Sequence, residues 1–383
     1  MSVLDFADEE LAALEARGRR RGVRVVQARR GVEVMLDGQW YVSFSSNDYL
    51  GLAMEPSVIE AARRAVEVHG VGAGASRLIT GTGGDVVELE RELAEFHGAP
   101  AALVFGSAYA ANIGTIPALV GRGDVVFSDE LNHASIVDGC RLSRAEVRVW
   151  PHGDVDALTR MLGAGRWRRR LIVSESVFSM DGDRAPLERL REVARAADAM
   201  FMVDDAHAVG VGGREGRGYG VACGADVVVG AMGKAFGTAG GYVLAEERVV
   251  DLLWNRARAL VFSTAAAVPV VAASRTALAM LASPDGAARR ARLHDVARRV
   301  RRGLRALGHD VDEWATEPII PFVVGDDRRA VAWTEALLTR GLLVQAIRPP
   351  TVPEGTARLR IAVSALHSDA DVDALIAAIA AGA

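Results

Sequence analysis

Between residues 101 and 245 short apolar runs alternate with amphipathic stretches, and no other feature of the chain constrains its fold as strongly. Residues 101–105, 125–127, 171–173, 200–203, 227–229 and 242–244 read as strands. Residues 88–96, 155–162 and 187–196 carry apolar side chains at three- and four-residue spacing and read as helices between some of them. Strands joined by such helices return in parallel. The pattern therefore predicts an α/β fold with a large, doubly wound, mainly parallel sheet whose ligands lie at the carboxyl ends of its strands. After about residue 265 the pattern changes. An arginine-rich helix over 287–307 leads to a strand over 319–324, a helix over 330–339, a strand over 358–363 and an alanine-rich terminal helix, which together read as a smaller α+β unit. The expected organisation is an N-terminal arm over 1–45, a large domain over 46–260 and a small C-terminal domain over 261–383. With half of its 383 residues hydrophobic and a quarter charged, the chain has material for a large core.

The net charge of −4 gives no long-range attraction to nucleic acid or to an anionic membrane. The basic runs over 166–170 and 298–302 read as a solvated loop and a solvated helix face. Two cysteines, Cys140 and Cys223, cannot make a disulfide framework. The first ten residues lack the basic start and apolar run of a signal peptide, and no window is apolar for long enough to span a bilayer. A cytoplasmic location is expected.

Lys234 is the only lysine; every other member of the 45 basic residues is arginine. Surface charge is thus supplied by Arg throughout, and the lone Lys stands where a guanidinium would not serve. Arg keeps its proton near neutrality, whereas a desolvated Lys becomes a neutral amine able to attack a carbonyl. Its context, Val-Val-Val-Gly-Ala-Met-Gly-Lys-Ala-Phe-Gly, is a strand followed by a glycine turn.

Other candidates gather at strand ends. Residues 200–203 deliver Asp204-Asp205-Ala206-His207, two carboxylates and an imidazole. A buried carboxylate there could keep a pyridinium nitrogen protonated, and the imidazole could bond a ring hydroxyl. A salt-bridged strand end or a metal site would use the same residue types, but nothing else in the chain has zinc-ligand spacing and no metal is expected. Phe105-Gly-Ser-Ala-Tyr-Ala-Ala-Asn follows a strand and opens a helix, which makes Ser107, Ala108 and Tyr109 a cradle of backbone amides for a phosphate. Asn132-His133-Ala134-Ser135 brings a second imidazole, which by itself could equally be a capping or packed histidine.

In order and spacing these segments resemble the α-oxoamine synthase family of fold-type-I pyridoxal-phosphate enzymes. The residues carrying the resemblance are Ser45-Ser-Asn-Asp-Tyr-Leu-Gly-Leu52, Gly72-Ala-Gly-Ala-Ser-Arg-Leu-Ile-Thr-Gly-Thr82, Asp129-Glu-Leu-Asn-His-Ala-Ser135, Val177-Phe-Ser-Met-Asp-Gly-Asp183, Val203-Asp-Asp-Ala-His207, Gly233-Lys-Ala-Phe-Gly237 and Ala346-Ile-Arg-Pro-Pro-Thr-Val-Pro-Glu-Gly-Thr-Ala-Arg-Leu-Arg360. It runs from about residue 40 to the C-terminus, and the Ile-Arg-Pro-Pro-Thr-Val-Pro run leans toward the biotin-pathway branch. The resemblance implies an aspartate-aminotransferase-like fold and pyridoxal 5'-phosphate as cofactor. It implies Lys234 as the Schiff-base lysine, Asp204 on the pyridine nitrogen, His133 over the ring, and His207 with Ser179 at the phenolic oxygen. Ser107, Ala108 and Tyr109 would hold the phosphate, with Ser263 or Thr264 of a neighbouring subunit, so that a homodimer with shared sites is implied. Arg348 matches the arginine that binds the amino acid carboxylate; Asn47 lies near the same substrate, Glu175 shapes the pocket, and one of Arg19, Arg20 and Arg21, taken here as Arg21, contacts substrate. The implied substrates are L-alanine and a pimeloyl thioester, carried on coenzyme A or a carrier protein, condensed with loss of carbon dioxide.

Three positions depart from the family pattern. Ala108 replaces a glycine of the phosphate loop, Ala231 a threonine that donates to the phosphate, and Val86 a histidine. Weaker cofactor retention is expected from the first two. Another oxoamine synthase with a different amino acid or acyl group, an aminotransferase on the same fold, and a non-catalytic subunit are the alternatives, the last opposed by retention of Lys234.

Overall fold

The structure, a computed structural model, describes residues 3–382. In chain order its elements begin with α1 (Asp5–Ala16), β1 (Ala28–Arg30), β2 (Glu33–Leu36), β3 (Gln39–Ser43), α2 (Pro56–His69) and α3 (Gly84–His97). There follow β4 (Ala101–Phe105), α4 (Ala108–Leu119), β5 (Val125–Asp129), α5 (Ala134–Ser143), β6 (Glu146–Trp150), α6 (Val155–Leu162), β7 (Arg170–Glu175), α7 (Leu187–Ala196), β8 (Met200–Asp204), β9 (Val227–Ala231) and β10 (Gly241–Ala245). The chain continues through α8 (Glu247–Arg256), α9 (Arg258–Val261), α10 (Val268–Leu281), α11 (Pro284–Ala306), β11 (Ile319–Gly325), α12 (Asp327–Leu338), β12 (Leu342–Leu343), β13 (Gln345–Ile347), β14 (Ala357–Ala362) and α13 (Asp369–Ala380).

Two compact units contain these elements. One is Asp48–Ser179 with Asp183–Arg292; the other comprises the described residues of Met1–Asn47, Met180–Gly182 and Leu293–Ala383. The division falls inside α11. The change in sequence pattern near 260 lies within the larger unit, because α10 packs on α2 and α3 and so groups with the sheet domain.

The larger unit is built on a seven-stranded sheet in the order β4-β10-β9-β8-β7-β5-β6. Neighbours from β9 through β6 pair in parallel, and β10 alone runs against the strands on either side of it. Alternate residues of each strand feed two different cores. Val126, Leu171, Val173 and Met202 pack with Ile116 of α4, Ile136 of α5 and Leu253 of α8. Val125, Phe127, Ile172, Phe201 and Val203 pack with Leu158 of α6 and Leu187 and Leu190 of α7. Both faces are covered, and this explains why the strands read as continuous apolar runs. The helices expected at 155–162 and 187–196 form over those residues. In α6, Val155, Leu158 and Leu162 line the buried side and Asp154 accepts the Ala157 amide at 2.8 Å as N-cap. Strand β6 was not among the expected strands, because in this edge strand Glu146 and Arg148 alternate with Val147 and Val149 and no continuous apolar run forms.

The smaller unit contains the sheet β1-β2-β3-β12 and the antiparallel sheet β11-β14-β13. Ala362 donates its amide to Phe44 O at 2.8 Å, and the Phe44 ring stacks on His367 with centroids 4.1 Å apart. The arginine-rich helix is not wholly a solvated face. Arg301 is buried and donates to the carbonyls of Glu317 and Ile319, at 2.7 and 3.0 Å.

One close approach in the large sheet has an energetic consequence. Gly230 in β9 pairs with Tyr242 in β10, whose buried ring lies across it; a Cβ at 230 would stand 2.1 Å from Tyr242 Cζ. The phenol cannot retreat, because its oxygen is 2.8 Å from His97 Nε2 in the same core. Gly230→Ala should therefore cost about 1–3 kcal/mol through overpacking. Denaturant unfolding would register it as a lower midpoint at unchanged slope, and an unchanged midpoint would contradict the packing described.

Candidate active site

Parallel register brings the chemistry together at the carboxyl ends of β7, β8 and β9. Glu175, the last residue of β7, pairs with Asp204, the last of β8, and Asp204 pairs with Val229 two residues before the end of β9. Paired residues on adjacent strands project to the same face, so the two carboxylates are neighbours. Strand β9 ends at Ala231, and Lys234 follows in the turn, where Gly237 N donates to Lys234 O at 2.8 Å.

The carboxylates differ in their partners. Asp204 Oδ1 accepts the Ala206 amide at 2.9 Å and Oδ2 accepts Asn112 Nδ2 at 2.6 Å, both donors that stabilise an anion. Glu175 is 3% exposed and its Oε1 has no partner. Burial first, and the Asp204 charge second, push its carboxyl well above the usual range, against the pull of Lys234 and of the His133 and Ser179 backbone amides. Asp205, the other carboxylate of the motif, is committed elsewhere: its Oδ2 accepts the Tyr219 and Gly220 amides at 2.9 and 2.7 Å. Burial raises Asp205 to about 6.

His133 is the N-cap of α5 and is also electrostatically coupled to the site. Its Nδ1 accepts the Ser135 amide at 3.2 Å and lies 2.8 Å from Ser135 Oγ. The residue is solvent-exposed, yet the protein packed around its ring pushes its pKa down, Asp204 acts oppositely, and Lys234 adds to the lowering. Tyr109 meets it edge-on at 6.4 Å and donates its hydroxyl to Asp138. His207 is buried and shares a 2.7 Å hydrogen bond between its Nδ1 and Tyr49 OH. Ser179 is buried on the segment after β7.

The phosphate-loop candidates lie where β4 turns into α4. Ser107 is extended and caps the helix, its Oγ accepting the Ala110 amide at 3.0 Å, which leaves the first-turn amides directed out of the helix start. Gly241 of β10 lies beneath this turn. A Cβ there would meet Ala108 N at 2.2 Å, so the backbone of the loop rests directly on the strand. Thr264 is exposed and bridged to Ser76.

Asn47, Arg21 and Arg348 belong to the smaller unit. Arg21 Nη2 donates to Thr351 Oγ1 at 3.2 Å, Arg348 donates to Gly18 O, and Arg360 Nη1 donates to Asn47 Oδ1 at 3.3 Å. Arg19, Arg20, Arg21 and Arg348 line one cavity of about 530 Å³. Arg19 is tied by ion pairs to Asp327 and Glu354, which distinguishes it from Arg21. Among the described residues no group of His, Cys, Asp and Glu is arranged to hold a metal ion.

These residues fit pyridoxal phosphate. A carboxylate that accepts from two donors suits a pyridinium nitrogen, an amine stands in the turn after the adjacent strand, and a helix start offers amides to a phosphate. Glu175 Oε1 and Asn112 Oδ1 are buried acceptors without partners.

Sequence reasoning missed Asn112, Ser135, Tyr49 and His152 as contributors. The first three lay inside or beside motifs but carried no signal of their pairing. His152 lies outside every motif. Its Nδ1 is 3.0 Å from Asp129 Oδ1 and its Nε2 is 2.9 Å from Asp183 Oδ2, and its ring stands edge-on against Phe178 at 4.4 Å. It thereby clamps the loop leading to His133 to the segment that carries Ser179. Hydrogen bonds to Asp129 and then to Asp183 raise its pKa to about 10. A raised folded-state value means that the stabilisation is complete below the ordinary histidine range and is lost as pH rises through about 10. His152→Ala should lower stability by about 1–3 kcal/mol, since Asp129 is left buried with fewer donors. In melting experiments the difference from the unaltered protein should be largest below the ordinary histidine range, fall steadily as pH rises toward about 10 and level off above it; a difference already fully lost by pH 7 would contradict a cationic bridge.

The chain is similar to known proteins over nearly its whole length. A family model described as aminotransferase class I and II matches residues 40–379. The 8-amino-7-oxononanoate synthase of Geobacter sulfurreducens is 50% identical over 379 residues, covering 97% of this chain and 96% of the relative. The protein of the same name from Herminiimonas arsenicoxydans is 46% identical over 383 residues, with 97% of each chain covered. Among solved structures, a serine palmitoyltransferase from S. paucimobilis with a bound PLP–myriocin aldimine superposes with a TM-score of 0.93 at 33% identity, covering 100% of this chain and 98% of that one. The 8-amino-7-oxononanoate synthase of Francisella tularensis superposes with a TM-score of 0.78 at 25% identity, covering 89% of this chain and 97% of that one.

Proposed function

Because the chain belongs to the aminotransferase class I and II family and, within it, to the α-oxoamine synthases, we propose that it is a pyridoxal-phosphate-dependent acyltransferase making 8-amino-7-oxononanoate for biotin biosynthesis. L-Alanine and a pimeloyl thioester, on coenzyme A or a carrier protein, are condensed with release of carbon dioxide and the free thiol. The observation that carries the reading is the placement of the only lysine beside Glu175 and Asp204 in a chain similar over nearly its whole length to synthases of that name. We take the enzyme to act in the cytoplasm as a homodimer. No helix among the described residues is long and apolar enough to cross a membrane.

Lys234 is the covalent anchor of the cofactor, Asp204 faces the pyridine nitrogen, and Ser179 and His207 serve the phenolic oxygen. The phosphate is held by the amides at Ser107, Ala108 and Tyr109 together with Thr264 of the second subunit. Bound pyridoxal phosphate supplies a protonated ring that accepts the electrons released at the α-carbon of alanine.

The remaining work belongs to the chain. Lys234 Nζ is the base that would take the proton from the α-carbon and later return one. Asp204, which accepts from Asn112 Nδ2 and the Ala206 amide, is the carboxylate that would keep the ring nitrogen protonated. Glu175, pushed toward its neutral acid, leaves Asp204 as the single negative charge facing the ring. Tyr49 fixes the ring of His207. Arg348 would bind the alanine carboxylate with its two-pronged guanidinium, with Asn47 and Arg21 as further substrate contacts. Ala231 offers the phosphate no hydroxyl, and Ala108 adds a methyl at the loop, so the cofactor is released more readily than from a relative with threonine and glycine there.

Mass spectrometry of products tests the assignment. The cofactor-loaded protein should form 8-amino-7-oxononanoate from L-alanine and pimeloyl-CoA and no condensation product from glycine or L-serine. A serine adduct with a longer acyl thioester would move the chain to the activity named for its closely superposing structural relative. Lys234→Ala should lose turnover by at least about a thousandfold and abolish cofactor that can be fixed by borohydride; full turnover without the amine would refute the role given to it.

A further inference from the structure

His133 has donors on its Nδ1 side. The Ser135 backbone amide, which can only donate, lies 3.2 Å from Nδ1, and Ser135 Oγ is 2.8 Å away. Asn112 Nδ2 spends its two protons on Ser135 Oγ at 2.9 Å and Asp204 Oδ2 at 2.6 Å. The orientation of this amide is fixed by charge: turned over, Asn112 Oδ1 would face the Asp204 carboxylate, acceptor against acceptor. Having accepted from Asn112, Ser135 Oγ has its own proton to give, and Nδ1 is its acceptor. Asn112 and Ser135 are 0% and 1% exposed, so water does not compete for these bonds.

An imidazole nitrogen that accepts an N–H carries no proton, and the proton of the neutral ring is then on the other nitrogen. We infer that Ser135 and Asn112 are positioning residues that hold His133 as a neutral imidazole with its N–H at Nε2, so that it serves the condensation as a hydrogen-bond donor to the oxygen of the acyl group and not as a proton acceptor. The naming of that oxygen rests on the thioester reading above; the tautomer does not. Packing around the ring and the nearby Lys234 disfavour the imidazolium, in the same sense as the geometry, while Asp204 and Asp138 oppose them. The proton from the α-carbon is left to Lys234 Nζ. The same amide that fixes the His133 tautomer also holds Asp204, so donor and electron-sink partner are set by one side chain.

Nitrogen NMR of histidine-labelled holoprotein, before alanine or thioester is added, tests the tautomer, with His133→Asn used to assign the signal. At pH 7.5 Nδ1 should have the shift of an unprotonated nitrogen and Nε2 that of an N–H, with no titration of this ring above pH 6.5. A proton on Nδ1, or on both nitrogens, would overturn the inference. Ser135→Ala should lower kcat about tenfold, the worth of one lost hydrogen bond, with KM for alanine and cofactor affinity within about twofold. Ser135→Thr, which retains hydroxyl and amide, should restore kcat. An alanine variant with full kcat, or a threonine variant equally impaired, would remove Ser135 from this role. If no 8-amino-7-oxononanoate forms while the Nε2–H signal is present, the substrate assignment fails and the tautomer stands.

Discussion

The register of β7 against β8 is the constraint on which the site depends. It sets Glu175 beside Asp204, with Lys234 in the turn after the next strand, so two buried acids and a half-buried amine share one region. At an effective dielectric of about 20, unit charges 4 Å apart interact by about 4 kcal/mol, so ionising both acids is costly. Burial decides which acid yields. Asn112 Nδ2 and the Ala206 amide donate to Asp204, while burial, with the Asp204 charge behind it, outweighs the His133 and Ser179 amides at Glu175. Glu175 is thereby driven toward neutrality beside Asp204, an asymmetry that no list of acidic residues would reveal.

The fold pays for this arrangement in small residues. Strands β9 and β10 carry Gly230, Ala231 and Gly241 at the end of the sheet nearest the site. Gly230 admits the Tyr242 ring, and Gly241 admits the backbone of the turn at Ser107 and Ala108. A larger side chain at 241 would lift the helix start away from the strand that supports it. Ala108 is tolerated for a related reason: it is already the first residue of α4, where an ordinary helical conformation requires no glycine.

Much of this was legible in the sequence because it is local. A strand of alternating burial on two covered faces reads as an apolar run, an amphipathic helix reads at its own period, and a lone lysine after a strand and a glycine stands out by composition. Asp204 and Asp205 show where the residues alone gave out, since only the family resemblance chose between them. Adjacent in sequence and identical in type, they are separated only by partners brought from a distance: Asn112 for the first, Tyr219 and Gly220 for the second. The pairings of His152 with Asp129 and Asp183 span 23 and 31 residues and leave no periodic trace. Edge strand β6 was passed over for a different reason, since its Val147 and Val149 are exposed and alternate with Glu146 and Arg148, so it shows no continuous apolar run.

The histidines of the larger unit show how partner type sets charge. His152 lies between two carboxylates, which accept from both nitrogens, and is driven to the cation with a pKa of about 10. His97 is buried between a backbone carbonyl and the Tyr242 hydroxyl, and burial drives its pKa to about 4, where the ring is neutral. His133 accepts a backbone amide, a partner that only an unprotonated nitrogen can take. The first clamps two loops as a fixed charge, the second fills a core, and the third has an N–H to offer at a defined end of its ring. Reactivity belongs to the third because its tautomer is fixed while one side of the residue remains open to solvent, a combination the other two environments do not allow.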